Sequence, residues 1–181
     1  MTDERMNNYT RVSTILSTYS DYDSIPKHIL DKAATRGTLI HNMCELYAGT
    51  GVQIPNEHQG YVDAFVSWFD AEVKEVHSLE TRLFCDTFEL TGQYDMHVML
   101  RNRLDYIIDI KTCAAKHDTW PLQLSAYQYL HGESKDGYVP RRAVLHLRKT
   151  GKYDFYQYDN DEKDKDLFMS ALKLHRYFKK G

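Results

Sequence analysis

The sequence changes its hydrophobic period near its middle, and this change limits the fold more than any other feature. In roughly the first 75 residues, apolar side chains recur every three or four positions, as on one face of an α-helix. Two later segments, Tyr94–Leu100 and Tyr106–Lys111, instead have a period of two: every second residue is apolar, and most of the polar residues lie between them. The polar triplet Arg101-Asn102-Arg103 separates the two segments. This pattern predicts a β-hairpin that follows a helical region.

Periodicity and turn residues predict further elements on both sides of the hairpin. Ser24 before Ile25-Pro26 predicts the start of a helix, and further helices are expected at 37–48, from about 57, at 121–131 and at the end of the chain. Strands are expected near 143–148 and 153–158. The apolar period of the helix that begins at about 57 continues to Val73 and Val76, and the last helix carries one stripe made of Leu167, Ala171, Leu174 and Phe178. The order of elements predicts an α/β (α+β) fold with a central mixed β-sheet flanked by helices. We expect residues 1–181 to form a single domain, because a chain of 181 residues suffices for one sizeable core but not for two.

Composition excludes several classes of protein. No run of apolar residues approaches the roughly 20 that a membrane-spanning helix needs. The first residues, Met1-Thr2-Asp3-Glu4-Arg5, hold no apolar signal core, so we expect no secretion and a cytoplasmic location. The three cysteines, Cys44, Cys85 and Cys113, are too widely spaced for a disulfide framework or a CxxC metal site, which favours a reducing compartment.

Net charge alone argues against nucleic acid as a partner. The formal net charge is −3, whereas nucleic-acid-binding domains are commonly basic. The charge is unevenly distributed, however: residues 1–90 carry 7 lysines and arginines against 14 acidic residues, and residues 91–181 carry 16 against 12. The second half of the chain is therefore the better candidate for an anion-binding surface.

An acidic-x-Lys triplet within a predicted strand is the clearest sign of chemistry. The triplet occurs four times, but only Asp109-Ile110-Lys111 lies in a predicted strand, and the other copies lie in helical or polar loop segments. Side chains two positions apart on a strand share a face, so Asp109 and Lys111 project together. Pairing within the hairpin would bring Asp95 to the same side. Two carboxylates and an ammonium at one spot favour a site for a hard cation such as Mg²⁺.

Four motifs in a fixed order resemble those of the PD-(D/E)XK nuclease superfamily, and its RecB-like branch fits best. The motifs are a helical histidine in Arg36-Gly37-Thr38-Leu39-Ile40-His41, followed by Gly92-x-x-Asp95, Asp109-x-Lys111 and Gln123-x-x-x-Tyr127. The resemblance runs from about residue 36 to residue 130. With the closing strands and helix, the chain is similar to small phage-type exonucleases of this superfamily, and the resemblance implies a restriction-endonuclease-like core.

The resemblance implies a metal-dependent nuclease that hydrolyses the phosphodiester bonds of DNA. His41, Asp95 and Asp109 would bind the metal together with the backbone carbonyl of Ile110. One or two ions would be used, and because imidazole is a softer ligand than carboxylate, Mn²⁺ is expected to serve at least as well as Mg²⁺. We expect no iron–sulfur cluster, since relatives that hold one use four cysteines and this chain has three.

The remaining motif residues would act around the metal. Lys111 would position or activate the attacking water, while Gln123 and Tyr127 would support the site or contact the DNA backbone. Glu45 follows His41 by one helical turn and is open to three interpretations: a hydrogen-bond partner of His41, a further ligand, or a surface charge. His97 shares the predicted face of Asp95 but has no counterpart in the motifs, and we interpret it as structural.

Candidate DNA contacts come from basic residues outside the acidic centre. Phosphate groups are bound mainly by arginine and lysine. The candidates are Arg36, a first stretch with Arg141, Arg142, Arg148, Lys149 and Lys152, and a second with Lys173, Arg176, Lys179 and Lys180.

The resemblance also implies a biological setting, and it leaves other functions open. Exonuclease action in phage or cellular DNA recombination is favoured over endonuclease action, with single- or double-stranded DNA as substrate, a recombination protein as a possible partner, and the host cytoplasm as the location for a phage-encoded chain. One alternative is a non-catalytic nucleic-acid-binding protein that keeps the nuclease fold. Two converging carboxylates argue against it, because they repel phosphate. A small-molecule metal hydrolase is a further alternative and would need a deep pocket.

Overall fold

The computed structural model describes residues 8–20, 24–134 and 137–179, so Lys180 of the second basic stretch and the N-terminal pentapeptide lie outside the described residues. Helices and strands interleave along the chain. Their bounds are β1 Thr10–Arg11, α1 Val12–Ser17, α2 Lys27–Thr50, α3 Gln59–Glu72, β2 Val73–Cys85, β3 Leu90–Leu100, β4 Asp105–Lys111, α4 Trp120–Ser134, β5 Arg141–Leu147, β6 Tyr153–Gln157 and α5 Asp161–Lys179.

The strands form one mixed sheet of six. Strand β3 pairs antiparallel with β2 along one edge, and on its other edge it pairs first with β1 in parallel and then with β4 antiparallel. The β4–β5 pair is parallel and the β5–β6 pair is antiparallel. Helices cover both faces, and the expected fold class, a central mixed sheet flanked by helices, is confirmed.

Each face of the sheet has its own hydrophobic core. On one face, Phe65 and Trp68 of α3 pack in a cluster with Val98 and Ile108. On the other face, α1, α4 and α5 pack against a cluster that includes Tyr94. Tyr94 therefore belongs to a different core from the apolar residues that follow it on β3. The face to which even-numbered residues point changes between Tyr94 and Met96.

Strand β2 was not predicted, and its irregular pairing explains why. Val73, Val76 and Leu79 are spaced by three residues, which is typical of a helix. The pairing of β2 with β3 shifts register between Val73 and Glu75 and again between Val76 and Ser78. Each shift inserts a residue, and this converts the period of two expected for a strand into a period of three. The assignment of Val73 and Val76 to a helix is therefore wrong.

The predicted stripe of the last helix is wrong at three of its four positions, and Ala171 alone is buried as expected. Leu167, Leu174 and Phe178 are 46%, 49% and 74% exposed. Phe168, Leu172 and Asp164 join Ala171 on the buried side of α5. Both sets fit a helical period, and the sequence alone does not say which of them meets the sheet.

Among the described residues, no helix combines the length and the apolar character needed to cross a membrane. Helix α2 has 24 residues and joins the two predicted helices, the one that begins near Pro26 and the one at 37–48; its N-cap is Pro26 and not Ser24. Gly37 lies inside it, and an added Cβ there would make only ordinary contact with Thr112.

Candidate active site

Strands β3 and β4 separate at Asp95 and Asp109, and the candidate site lies where they part. Their pairing ends at Met96 opposite Ile108, so Asp95 and Asp109 are the next two positions and face each other across the gap. The Asp95 carboxylate replaces the missing strand contact, because its Oδ2 accepts a hydrogen bond from the backbone N–H of Ile110. Both aspartates are buried. The structure thus brings the two predicted carboxylates together.

His41 reaches the same carboxylate from helix α2. Its Nδ1 lies 3.1 Å from Asp95 Oδ1. Burial lowers the pKa of His41, but the negative charge of Asp95 and the hydrogen bond to it outweigh burial and raise the pKa to about 9. In the metal-free protein, His41 is therefore protonated at neutral pH and pairs with Asp95 as a cation.

Glu80 is a site residue that the sequence did not indicate. One ligand atom each from Glu80, His41 and Asp95 lies within 4.8 Å of the others. Burial and the charge of Asp95 raise the pKa of Glu80, while a hydrogen bond from Gln93 opposes the rise. Glu80 has a positive φ of 44°, and this kink lies at the position opposite Asp95. No motif signals it, because strand β2 itself was not predicted.

Asp109 and Lys111 form a buried ion pair. Asp109 Oδ2 lies 2.7 Å from Lys111 Nζ. Burial lowers the pKa of Lys111, but the charge of Asp109 outweighs this and raises it, so the ammonium stays protonated. Burial also raises the pKa of Asp109, against the effect of Lys111. A carboxylate oxygen has two lone pairs, so Asp109 Oδ2 can face a cation as well as the Lys111 ammonium.

Helix α4 extends the ion pair into a hydrogen-bonded chain. Lys111 Nζ donates to Gln123 Oε1 over 3.0 Å, and Gln123 Nε2 donates to Tyr127 Oη over 2.7 Å. Tyr127 is only 4% exposed, which places it as a support for Gln123 rather than on a DNA-facing surface. A Cβ at Gly92 would lie 2.7 Å from the Tyr127 ring. The glycine of the Gly-x-x-Asp motif is thus required by the close approach of α4.

Two clefts open onto Lys111 from different sides. One, of about 490 Å³, is lined by His41, Lys111 and Gln123, together with residues of α2 and Trp120. The other, of about 430 Å³, is lined by Lys111, Gln123 and polar residues of α1. Because both clefts are lined by Lys111 and Gln123, the ammonium end of the ion pair borders both of them, whereas Asp109 lines neither.

Glu45 is exposed and outside the metal-ligand group of His41, Glu80 and Asp95. Its negative charge contributes to the raised pKa of Glu80. Of the three interpretations left open by the sequence, a surface charge that acts on Glu80 at a distance agrees best with this position.

The predicted DNA contacts divide into two groups. Strands β4 and β5 are parallel, with Lys111 beside His146, so Arg148 and Lys149 follow at the end of β5 nearest the candidate site. Arg148 donates to the backbone oxygen of Ala114, and Lys149 is exposed. On α2, Arg36 Nη2 lies 3.5 Å from the backbone oxygen of Thr112, also beside the site.

Arg141 and Arg142 lie at the far end of strand β5, opposite Tyr106 and Ile107. The expectation that Arg142 contacts DNA is wrong, because its side chain is 0% exposed. The guanidinium is bound by Asp164 at 2.7 Å and by Asp161 at 3.0 Å, and Nη1 donates to the backbone oxygen of Pro121. Its sequence context, beside Arg141 in a basic stretch, gave no sign of this burial.

Known proteins resemble the chain in fold but not in sequence. A candidate exonuclease from Eubacterium rectale superposes with a TM-score of 0.59 and 10% identity, over 96% of this chain and 82% of that chain. An alkaline exonuclease from Laribacter hongkongensis superposes with a TM-score of 0.44 and 14% identity, over 99% and 97%. No protein-family model and no curated protein matches the sequence. The first likeness shows that the mixed sheet with helices on both faces occurs in another protein.

Proposed function

We propose that the chain is a metal-dependent deoxyribonuclease of the RecB-like branch of the PD-(D/E)XK superfamily. The observation that carries this proposal is the opening between β3 and β4, in which Asp95 lies opposite Asp109 and Lys111 pairs with Asp109. The resemblance implies the same residues in the same order. The fold shared with a candidate exonuclease also supports the proposal.

The residues present fit a divalent cation. Asp109 offers a buried carboxylate beside the Lys111 ammonium, and one ligand atom each of His41, Glu80 and Asp95 lies within 4.8 Å of the others. The N–H of Ile110 points toward Asp95. In an extended strand, N–H and C=O of one residue point to the same side, so the Ile110 carbonyl also faces this opening. Carboxylates, one carbonyl and one imidazole suit Mg²⁺ or Mn²⁺.

Each polar residue of the site has a distinct task in the proposed hydrolysis. A bound divalent ion supplies Lewis-acid activation of the phosphate and lowers the pKa of a water. Lys111 keeps its proton and can donate from Nζ to the attacking water or to a phosphate oxygen, where it offsets the charge that develops. Gln123 fixes the direction of the Lys111 ammonium, and Tyr127 fixes Gln123. Asp95 holds Ile110 and His41 in place.

The two clefts at Lys111 and the nearby basic residues suit a polymeric anion. DNA would enter along the clefts on either side of Lys111, with Arg36, Arg148 and Lys149 near its phosphates. Exonuclease action is the preferred form of the proposal, since the resemblance is to small phage-type exonucleases.

The test is a digestion of DNA labelled separately at the 5′ and 3′ ends, single- and double-stranded, with Mg²⁺ or Mn²⁺. The parent protein should release label only with metal, and Lys111→Ala should lower the rate by at least about 100-fold, the loss typical for removal of one charge-stabilising donor. The order of label release gives the polarity, and a circular substrate separates exonuclease from endonuclease action.

A matched control is Lys163→Ala. Lys163 ends another acidic-x-Lys triplet, is exposed and lies on helix α5, so its removal should leave cleavage unchanged. Absence of metal-dependent cleavage in the parent, combined with retained DNA binding, would favour a non-catalytic nucleic-acid-binding protein. Equal cleavage by Lys111→Ala and the parent would also contradict the proposal.

A further inference from the structure

A second group of metal-ligand side chains lies on strands β2, β3 and β4, away from the opening at Asp95. One ligand atom each from His77, His97 and Asp105 lies within 4.8 Å of the others. We call these three residues the histidine cluster. Asp105 begins β4, four residues before Asp109, which corresponds to about 13 Å along an extended strand. The histidine cluster is therefore distinct from the candidate active site.

A β-bulge directs His77 into the histidine cluster. Val76 pairs with Val98 and Ser78 with His97, so His77 is an extra residue on strand β2. Bulges of this kind redirect a side chain and are typical of positions with a specific role. His77 Nε2 lies 2.8 Å from Asp105 Oδ1, and the rings of His77 and His97 are 4.7 Å apart.

Neighbouring side chains hold the members of the histidine cluster in position. The Tyr138 hydroxyl donates to Asp105 Oδ2 over 2.6 Å, and this leaves Oδ1 directed at His77. The buried His131 ring packs 5.0 Å from His97. Metal-binding carboxylates and imidazoles are commonly oriented by such outer hydrogen bonds and contacts.

We propose that the histidine cluster is a second metal site that binds Zn²⁺ or a similar divalent transition metal. Two imidazoles and one carboxylate are a donor set that favours such ions over Mg²⁺ and Ca²⁺. Donor atoms on one tetrahedral zinc ion are about 3.3 Å apart, so the ligand atoms of the histidine cluster need to move by about 1–2 Å to bind one ion. The ion would link the three strands β2, β3 and β4, and water would fill the remaining position.

Zinc titration by isothermal calorimetry tests this site on the full chain after removal of metal with a chelator. The candidate active site can also take Zn²⁺, so the expected result is that one of the zinc ions bound by the parent is bound at least about tenfold more weakly in His77→Gln and in His97→Gln. Asp95→Asn changes only the candidate active site and should keep this zinc. His28→Gln removes an exposed histidine of α2 and serves as a matched control. Tyr138→Phe should weaken zinc binding by about 10–100-fold, since it frees the Asp105 carboxylate.

The alternative is that the histidine cluster is only a hydrogen-bonded tie between strands. In that case, the parent binds no zinc, or His77→Gln and His97→Gln bind it as the parent does; either result overturns the proposal. Circular dichroism checks that the variants fold. Should they not fold, anomalous scattering from zinc-soaked crystals of the parent decides: a peak about 2.0–2.1 Å from both imidazoles supports the site, and its absence there overturns it.

Discussion

At the scale of single residues, Asp95 connects most of the candidate site. One of its oxygens faces His41, and the other accepts the N–H of Ile110 at the point where β3 and β4 part. A residue that satisfies both the backbone and a charged partner has little freedom to rotate. Its negative charge is therefore held at a fixed place, and this charge raises the pKa values of Glu80 and His41.

Glu80 provides the sharpest residue-level prediction, because no motif includes it. We expect Glu80→Gln to weaken Mn²⁺ binding by about 10–100-fold, the range found when a group that ligates or orients a ligand is lost. Glu45→Gln is the matched control, since Glu45 is exposed and influences Glu80 only through its charge; metal affinity should change little. Metal titration of both variants checks this, and equal affinities in the two would show that Glu80 is not part of the metal site.

The motif residues could be predicted because their spacing in the sequence does not depend on where each helix or strand begins and ends. Asp109 and Lys111 lie two apart on a regular strand, and the hairpin register then places Asp95 opposite Asp109. Glu80 could not be found in this way. Its position depends on a positive φ and on a strand whose bulges disguise its period.

At the scale of elements, regular strands were predictable and irregular ones were not. Strands β3 to β6 lie close to the predicted segments, since alternation and turn residues define them locally. Strand β2 and the inward face of α5 depend on contacts with distant parts of the chain. Arg142 is a further case: Arg141 is exposed and Arg142, its neighbour on β5, is buried, and only the packing of α5 shows that Asp164 neutralises the buried guanidinium.

Strand β5 therefore yields a prediction that separates two arginines. Arg142→Met should lower the free energy of unfolding by about 3–5 kcal/mol, because it leaves the Asp164 carboxylate buried without its partner. Arg148→Met should cost less than about 1 kcal/mol, since its pair with Asp154 is partly exposed. Chemical denaturation measures both.

DNA affinity should respond to the same two variants in the opposite order: Arg148→Met should lose more affinity than Arg142→Met. Arg148→Met is expected to weaken binding and to reduce the slope of log affinity against log salt by roughly one, as for one lost phosphate contact. Arg142→Met, assayed where it is folded, should keep the parent's slope. A reduced slope in Arg142→Met and not in Arg148→Met would contradict the assignment of these two side chains.

At the scale of the whole molecule, the net charge of −3 no longer argues against a nucleic-acid substrate. Asp95, Asp109 and Glu80 contribute negative charge at one place, where a bound cation would offset it. Arg148 and Lys149 follow the end of β5 that borders this place. The arrangement favours an acidic centre with basic residues beside it, and the average over the chain conceals this.

Without metal, the proton on His41 takes over part of this charge balance, and folding stability should therefore depend on pH. The pKa of His41 is raised from 6.5 to about 9, so the folded protein binds this proton more tightly than the unfolded chain does. The stabilisation is fully present below about pH 6.5 and is lost as the pH rises through about 9. With screening at the partly exposed ring, we expect the free energy of unfolding to fall by about 1–3 kcal/mol over this range.

Denaturation in the presence of a chelator between pH 6 and 10 measures this loss. His41→Gln removes the titrating group, so the difference in stability between parent and variant should shrink toward high pH, and a difference that stays constant would contradict the raised pKa.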